Sequence, residues 1–226
     1  MLTKATCIQD GSKERVCECG EKEIEVFEAI GHNITNDYCI NCGRVVSMGL
    51  EYELFDSTSY CLMGLGTCSD TDIIIPSSYK GKSVRYIGDA FYQCTGIKSV
   101  TIPASVIIIG GYAFEGCTNL QTVIFEPGSQ LTDIYTGAFF ECTSLISIKI
   151  PNGVKYIYEN AFYGCESLTS ITIPVGLTHI EDEAFGWCLN LTSVYYEGTE
   201  EQWKNISIGD ENEYLTSATI TYNYKG

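Results

Sequence analysis

Cysteine is the residue type with the widest chemistry in this chain, because its thiolate can bind metals, form disulfides or act as a nucleophile. Five of the 12 cysteines and one of the two histidines lie within the first 42 residues, namely Cys7, Cys17, Cys19, His32, Cys39 and Cys42. Cys39-Ile40-Asn41-Cys42-Gly43 has the spacing of a zinc-ribbon half-site, whereas one residue instead of two separates Cys17 from Cys19. We therefore expect a structural zinc ion or disulfides here, with unpaired thiols as the third alternative. The candidate zinc ligands are Cys17, Cys19, Cys39 and Cys42, with His32 and Cys7 as alternates.

The next two cysteines, Cys61 and Cys68, flank Gly64-Leu65-Gly66, a sequence typical of a tight turn. If the turn spans two residues, these cysteines face each other across a hairpin, and a disulfide between them is feasible. The alternative is that either of them is a buried core thiol.

The remaining five cysteines recur at the same position of a repeated motif: Cys94, Cys117, Cys142, Cys165 and Cys188. Stacked copies of one position carry parallel side chains that do not converge, and their number is odd, so disulfides between them are not expected. We predict that these five are buried, unreactive thiols that act as small apolar residues.

The sequence lacks the motifs that would support catalysis. It contains no H-E-x-x-H zinc-protease motif, no G-x-S-x-G nucleophile elbow, no Walker loop and no dinucleotide-binding fingerprint. The second histidine, His179, directly precedes Ile180 at a variable repeat position, where an exposed side chain is expected. We therefore expect a protein without catalytic activity and without a cofactor, unless zinc occupies the cysteine-rich segment.

A repeated motif determines the architecture that must position these residues. Ala-Phe-x-x-Cys-x-x-Leu/Ile occurs five times, with phenylalanines at 91, 114, 139, 162 and 185, so the steps are 23, 25, 23 and 23 residues. A period of this length is typical of a leucine-rich solenoid, in which each unit is too small to bury its own apolar face.

Each repeat also predicts local structure. Apolar residues alternate around Ile171, which is the period of a half-buried strand, and Pro174 ends that strand because proline has no N–H to donate. A second extended piece is expected at residues 177–180. The acidic residues 181–183 then favour the start of a short helix that carries Ala184 and Phe185.

This pattern resembles the BspA-like leucine-rich repeats of large microbial surface proteins, over roughly residues 50–226. Two coils depart from it: the third carries two extra residues around 126–130, and the first has one residue fewer between Ile87 and Phe91. The cysteine-rich start resembles the short units that accompany such repeats. The resemblance implies a non-catalytic, surface-displayed module for adhesion or protein contact.

The predicted fold is an α+β solenoid, a right-handed coil with a parallel sheet and about five 23-residue repeats between two caps. We divide the chain into a cysteine-rich segment (1–47), which includes a strand within 22–30, an N-terminal hairpin cap (48–72), the repeats (73–194) and a C-terminal cap (195–226). In the last cap, Thr199 and Gln202 have capping-box spacing, which predicts a helix that holds Trp203 over the final coil, followed by a strand at 218–222.

Charge and hydropathy limit the partners. Thirteen basic against 29 acidic residues give a net charge of −16, which repels nucleic acid and anionic membrane surfaces. No apolar run is long enough to span a bilayer, and residues 1–20 lack a signal-peptide core. We expect a monomeric module outside the cell or at its surface, cut from a longer secreted precursor.

The ligand face is expected on the outward side of the parallel strands. Most outward positions carry serine or threonine, which form a neutral strand surface, and apolar residues or a cation interrupt them. We expect the contacts to be Ile74, Thr101, Ile124, Lys149 and Tyr195, and the ligand to be a protein or a glycan. Two alternatives stay open: the exposed isoleucines only favour strand geometry, or the whole repeat array is a passive spacer.

Overall fold

The computed structural model describes residues 46, 47 and 49–225 and, within residues 1–45, the backbone of five strands. Those strands are β1 (Leu2–Thr3), β2 (Gly11–Val16), β3 (Lys22–Phe27), β4 (Ile34–Thr35) and β5 (Tyr38–Cys39). Antiparallel pairing joins β1, β2 and β3 into one sheet, and β4 pairs with β5. The strand predicted within 22–30 is therefore present as β3.

Two sheets build the rest of the chain, because each coil contributes a strand to both. The strands are β6 (Glu51–Leu54), β7 (Ser59–Gly64), β8 (Asp72–Ile74), β9 (Ser78–Tyr79), β10 (Lys82–Ile87), β11 (Ser99–Ile102), β12 (Ile108–Ile109), β13 (Thr122–Phe125), β14 (Asp133–Ile134), β15 (Ser147–Lys149), β16 (Tyr156–Ile157), β17 (Ser170–Ile173), β18 (His179–Ile180), β19 (Ser193–Tyr196), β20 (Ser207–Ile208) and β21 (Thr219–Thr221). We call the seven-stranded sheet β8-β11-β13-β15-β17-β19-β21 the front sheet and the nine-stranded sheet β6-β7-β10-β12-β14-β16-β18-β20, with β9 beside β10, the back sheet.

The front sheet is parallel throughout, and its register follows the sequence period. Val100 pairs with Ile73 on one side and with Val123 on the other, and Ile171 pairs with Ile148 and Val194. This is the alignment that the alternation of apolar residues predicts, so the solenoid prediction is confirmed. Both sheets continue past residue 195, because β20 and β21 add one more coil.

Columns of identical residues fill the space between the sheets. The rings of Phe91, Phe114, Phe139, Phe162 and Phe185 are fully buried and stack with centroid separations of 4.9, 5.0, 5.2 and 5.2 Å. Leucine and isoleucine columns flank them, including Leu120, Leu145 and Leu168. Coil-on-coil packing of this kind, repeated from Phe91 to Phe185, supplies the hydrophobic core.

The predicted helix at each Ala-Phe pair is wrong, because the chain forms turns there instead. The Phe162 N–H donates to the Ala184 carbonyl of the next coil at 2.8 Å rather than to a carbonyl four residues earlier. In the coil of Phe185, left-handed residues at Glu183 (φ 53) and Trp187 (φ 55) bracket the segment and leave three residues between them. Such a segment is too short for an α-helical turn. In residues 46, 47 and 49–225 the only α-helices are α1 (Glu200–Trp203) and α2 (Glu213–Thr216).

The C-terminal coil closes as predicted. Thr199 and Gln202 form a reciprocal capping box at the start of α1, with distances of 3.3 and 2.8 Å. Helix α1 holds Trp203 edge-on against the buried Tyr196, with ring centroids 5.2 Å apart. Trp203 therefore covers the last coil, and the predicted final strand is β21.

The N-terminal cap differs from the predicted one in its turn. The hairpin joins β6 to β7 through residues 55–58, and Gly64-Leu65-Gly66 lies after it. Ser47 pairs with the outermost strand of the front sheet: Ser47 N donates to Ile74 O, and Ile74 N donates to Ser47 Oγ, both at 3.0 Å. Paired in this way, the outermost strand does not present all of its hydrogen-bonding groups to solvent.

Candidate functional site

The outward face of the front sheet has two rows of side chains. One row is short and hydroxylated apart from its first residue, Asp72, whose carboxylate accepts from Ser99 Oγ at 2.6 Å. The other row runs through Ile74, Thr101, Ile124, Lys149, Thr172, Tyr195 and Thr221, in that order across the sheet. The structure therefore brings all five predicted contact residues into one row. Whether they bind a ligand stays a prediction.

Ile124 occupies the most distinctive position in this row. Its side chain is 38% exposed, and it borders an open pocket of about 400 Å³. Phe125 at the end of β13 and the loop with the two extra residues, through Pro127 and Ser129, form one wall, and the next coil forms the other, through Lys149 and Pro151. The pocket exists because the longer loop projects beside a coil of ordinary length.

Lys149 and Tyr195 each contact the side chain of a nearby residue. Lys149 Nζ lies 3.4 Å from Glu197 Oε1, and 56% of the lysine side chain stays exposed. An ion pair that exposed contributes little to stability, so the ammonium group can exchange Glu197 for a ligand anion at small cost. The ring of Tyr195 is covered on one side by Tyr224, with centroids 4.6 Å apart.

Thr101 is a correction to the predicted face. It lies in the outward row but is only 6% exposed, because its neighbours across the sheet on both sides are Ile74 and Ile124. A threonine between two larger side chains cannot reach a ligand without their displacement. Ile74 is half-buried at the edge that Ser47 covers. The accessible part of the row therefore begins at Ile124.

The cysteine predictions have different outcomes. Cys61 in β7 and Cys68 beyond the Gly64–Gly66 turn are both free, half-buried thiols, so the disulfide is not formed. The hairpin turn lies elsewhere, so the symmetric placement that would make the bridge feasible is lost. The zinc candidates Cys7, Cys17, Cys19, His32 and Cys42 lie outside the described residues, and of Cys39 only the backbone in β5 is described. Zinc there stays a prediction; residues 46, 47 and 49–225 hold no cluster that could bind a metal.

Four of the five column cysteines are buried as predicted, but Cys94 is only half-buried because it lies in the first coil of the column. The buried four also make hydrogen bonds that the sequence does not reveal. Each of the four buried thiols donates to the carbonyl of the phenylalanine one coil earlier, as Cys117 Sγ does to Phe91 O at 3.1 Å and Cys188 Sγ to Phe162 O at 3.2 Å. Burial raises the pKa of both thiols to about 12, so they stay protonated at neutral pH. These thiols are therefore structural donors and poor nucleophiles.

Sequence reasoning missed a group of aromatic residues on the outer face of the back sheet. Tyr135 stacks on Tyr158 with centroids 4.7 Å apart, and Tyr156 stacks on His179 at 4.6 Å. Tyr156 and Tyr158 connect the two pairs at 5.9 Å. We call these four residues the aromatic ladder. Its signal in the sequence is that both stacked pairs are 23 residues apart, which is one repeat.

A third surface lies along the turns that carry the Ala-Phe pairs. Tyr92 is about half exposed, and Phe140 stacks on Tyr163 with centroids 5.0 Å apart. If substitutions on the front sheet left ligand binding unchanged, these three residues would be the next candidate ligand site. An open pocket of about 520 Å³ adjoins Tyr92, and Gly88, Asp89, Tyr112 and Glu115 are among the residues that line it.

Comparison with known proteins identifies the same repeat architecture. Residues 85–212 match the family described as "BspA type Leucine rich repeat region", with six copies. No curated protein matches the chain. In the part of the chain that the structure describes, no helix is long and apolar enough to cross a bilayer.

Three solved structures share the fold. A leucine-rich repeat protein of T. pallidum is 28% identical, with a TM-score of 0.54 over 71% of this chain and 83% of that one. A leucine-rich cell surface protein of Faecalibacterium prausnitzii is 24% identical, with a TM-score of 0.54 over 80% of this chain and 54% of that one. The pneumococcal vaccine antigen PcpA is 22% identical, with a TM-score of 0.56 over 79% of this chain and 48% of that one. The last two show the fold alone, and this chain spans about half their length.

Proposed function

We propose, because this chain belongs to the BspA-type leucine-rich repeat family, that it is a non-catalytic recognition module that acts outside the cell or at its surface. It binds a protein or a glycan through the outward face of the front sheet. One of the solved structures with this fold is a cell surface protein, which agrees with that location. The net charge of −16 argues against nucleic acid as the ligand.

The observation that carries the proposal is the pocket beside Ile124. An exposed isoleucine on a strand is ordinary by itself. Here it lies next to a concave surface with Phe125, Pro127 and Pro151 on its walls, and the cation Lys149 lies at the edge. Apolar walls with a few polar groups are the usual composition of a binding site. We infer that a ligand places an apolar group against Ile124 and an acceptor atom near Lys149.

A passive spacer is the competing function, and the row of short hydroxylated residues beside Ile124 favours it. A spacer needs a stable, featureless surface, which Thr122, Ser147, Ser170 and Ser193 would provide. The two functions differ in what Ile124 does, since a spacer tolerates any exposed side chain there.

The test compares Ile124→Asp with Thr172→Ala, which changes the same row two coils away. The immobilised domain is exposed to a glycan array and to extracellular proteins of candidate host and neighbouring cells, and each bound species is then titrated against the variants. We expect Ile124→Asp to weaken binding at least tenfold, because it places a charge against the apolar walls, while Thr172→Ala binds normally. Equal binding by both variants would move the site to Tyr92, Phe140 and Tyr163. Absence of any ligand across both screens would favour the spacer.

A further inference from the structure

The aromatic ladder on the back sheet is built from two stacked pairs of rings. Tyr135 and Tyr158 are nearly parallel, with an interplanar angle of 14°, and Tyr156 and His179 have the same angle. Stacking within each pair therefore covers one face of each ring. The tyrosine hydroxyl groups add polar atoms that can accept from a hydrogen-bond donor.

Carboxylates border the ladder in three successive coils. Asp133 pairs in register with Tyr156, Glu159 directly follows Tyr158, and Glu181 lies one coil further on. Burial raises the pKa of Tyr158, and the nearby charge of Asp133 and of Glu181 raises it further. Asp133 and Glu181 are therefore close enough to the ladder for their charges to act on it.

No cation of the described chain neutralises this group. Asp133 Oδ2 accepts from Thr132 Oγ1 at 2.7 Å, and Glu181 Oε2 accepts from Glu159 N at 3.2 Å, so local polar groups hold both in place. Lys155 belongs to the same coil as the ladder but directs its Nζ to Gly176 O at 3.1 Å. The ion pairs Lys149–Glu197 and Lys204–Glu200, both between described residues, do not involve these carboxylates.

We propose that this surface, the aromatic ladder with Asp133, Glu159 and Glu181, docks an extended basic segment of another protein. Tyrosine hydroxyls and carboxylates accept hydrogen bonds from ammonium and guanidinium groups, and the charges of the two surfaces are complementary. Successive coils are about 4.8 Å apart, so the three coils span about 10 Å, the length of three extended residues. A segment with a lysine or arginine at every second position can place two cations against this surface.

This surface is independent of the one proposed above. The ladder lies on the back sheet and the Ile124 pocket on the front sheet, and they share no residue. A variant of one surface therefore leaves the other unchanged, so that failure of either proposal can be recognised separately.

The probe is a fluorescein-labelled nonapeptide of alternating lysine and serine, with a glutamate–serine peptide of the same length as its control. Fluorescence anisotropy is measured on the full chain in low salt and in about 300 mM NaCl, which screens exposed charges. Two variants test the surface: Tyr156→Ala removes the central ring, and Glu181→Gln removes one charge while its amide oxygen still accepts from Glu159 N. Their matched controls are Tyr163→Ala and Glu166→Gln, which change an aromatic residue and an acidic residue outside this surface.

We expect the lysine peptide to bind in low salt and the glutamate peptide not to bind. Tyr156→Ala and Glu181→Gln should each weaken binding about fivefold, while the two controls change it by less than about twofold. If Tyr156→Ala lowers the melting temperature, Glu181→Gln decides the result. The proposal is overturned if the wild-type chain binds neither peptide, or both equally. It is also overturned if Glu166→Gln weakens binding as much as Glu181→Gln, because the attraction would then belong to net charge alone.

Discussion

Asn212 is expected to hold the C-terminal end of the solenoid together by imitating the coil that would come next. In earlier coils the phenylalanine N–H donates to an alanine carbonyl of the following coil, as Phe162 N does to Ala184 O at 2.8 Å. Phe185 has no such successor, and its N–H donates to Asn212 Oδ1 at 2.9 Å instead. One side-chain amide thus replaces a backbone carbonyl and ends the array without a buried unsatisfied donor.

The cost of removing this amide follows from its contacts. Asn212 is only 3% exposed, and its Nδ2 also donates to the carbonyls of Glu181, Gly209 and Asp210 at 2.9, 3.1 and 3.1 Å. Asn212→Ala leaves the Phe185 N–H without an acceptor, which costs about 1–3 kcal/mol. The lost donors add about 1 kcal/mol, since the three carbonyls lie nearer the surface and can bind water. We therefore expect the free energy of unfolding to fall by about 2–4 kcal/mol.

Urea unfolding followed by tryptophan fluorescence measures this loss, because both tryptophans, Trp187 and Trp203, lie in the last coils. In the Asn212→Ala variant, hydrogen exchange should be faster at the Phe185 amide than at the Phe139 amide, since a defect in a linear array acts mainly on its neighbours. Asn190→Ala is the matched control. Its amide donates to Glu166 O at 2.7 Å on the surface, so its loss should cost less than about 0.5 kcal/mol.

Asn212→Asp tests the acceptor role of this side chain, through Oδ1, separately from its donor role, through Nδ2. The carboxylate keeps an acceptor for Phe185 N but turns its other oxygen toward three carbonyls, which should raise its pKa above the usual Asp value of about 3.9. A raised folded pKa means that the folded chain binds the proton more tightly. Stability should therefore be recovered as the pH falls below about 4 and lost as it rises through the folded pKa. The capping role would be wrong if Asn212→Ala and Asn190→Ala unfolded alike and the Phe185 amide kept its protection.

Three further predictions concern the columns and turns. Phe139→Ala, with a stacked ring on both sides, should lower the free energy of unfolding by about 3–5 kcal/mol in a urea titration. Raising the pH should destabilise the fold, because the thiols of Cys117 and Cys188, with pKa raised to about 12, ionise first in the unfolded chain. That stability is present below about pH 8.5 and lost toward pH 12; equal melting temperatures at pH 7 and 10 would contradict it. Gly137→Ala should be destabilising by more than about 1 kcal/mol in the same titration, since its φ is 62° and a Cβ would meet the Tyr112 ring at 2.5 Å.

The core and strand register can be predicted from sequence because they depend on one-dimensional spacing. Alternating apolar residues fix which side of each strand faces inward, and parallel stacking then pairs equivalent positions. For that reason Val100 pairs with Val123, and Ile171 pairs with Val194, as their alignment predicts. The capping box at Thr199 is predictable on the same ground, since its two partners are three residues apart.

The remaining features depend on what neighbouring coils place around a residue. The turn at Ala184 could not be distinguished from a helix, because acidic residues before an Ala-Phe pair favour both, and only the inter-coil bond of Phe162 N decides between them. Thr101 has an outward position in its strand but is buried by the isoleucines of adjacent coils. Asn212 lies beyond the last copy of the motif, where no period indicates its role.

Both proposed surfaces depend on the number of residues that separate equivalent positions in successive coils. Two extra residues in the third coil displace its loop and open the pocket beside Ile124, whereas the back-sheet strands of the third and fourth coils stay 23 residues apart and stack Tyr135 on Tyr158. The core columns are the same in both regions, so outward residues can change with little cost to folding. Ile124→Asp and Tyr156→Ala should therefore have additive effects on stability, and each should affect only its own partner. Coupling between them in a double-variant cycle would mean that the two sheets communicate through the core.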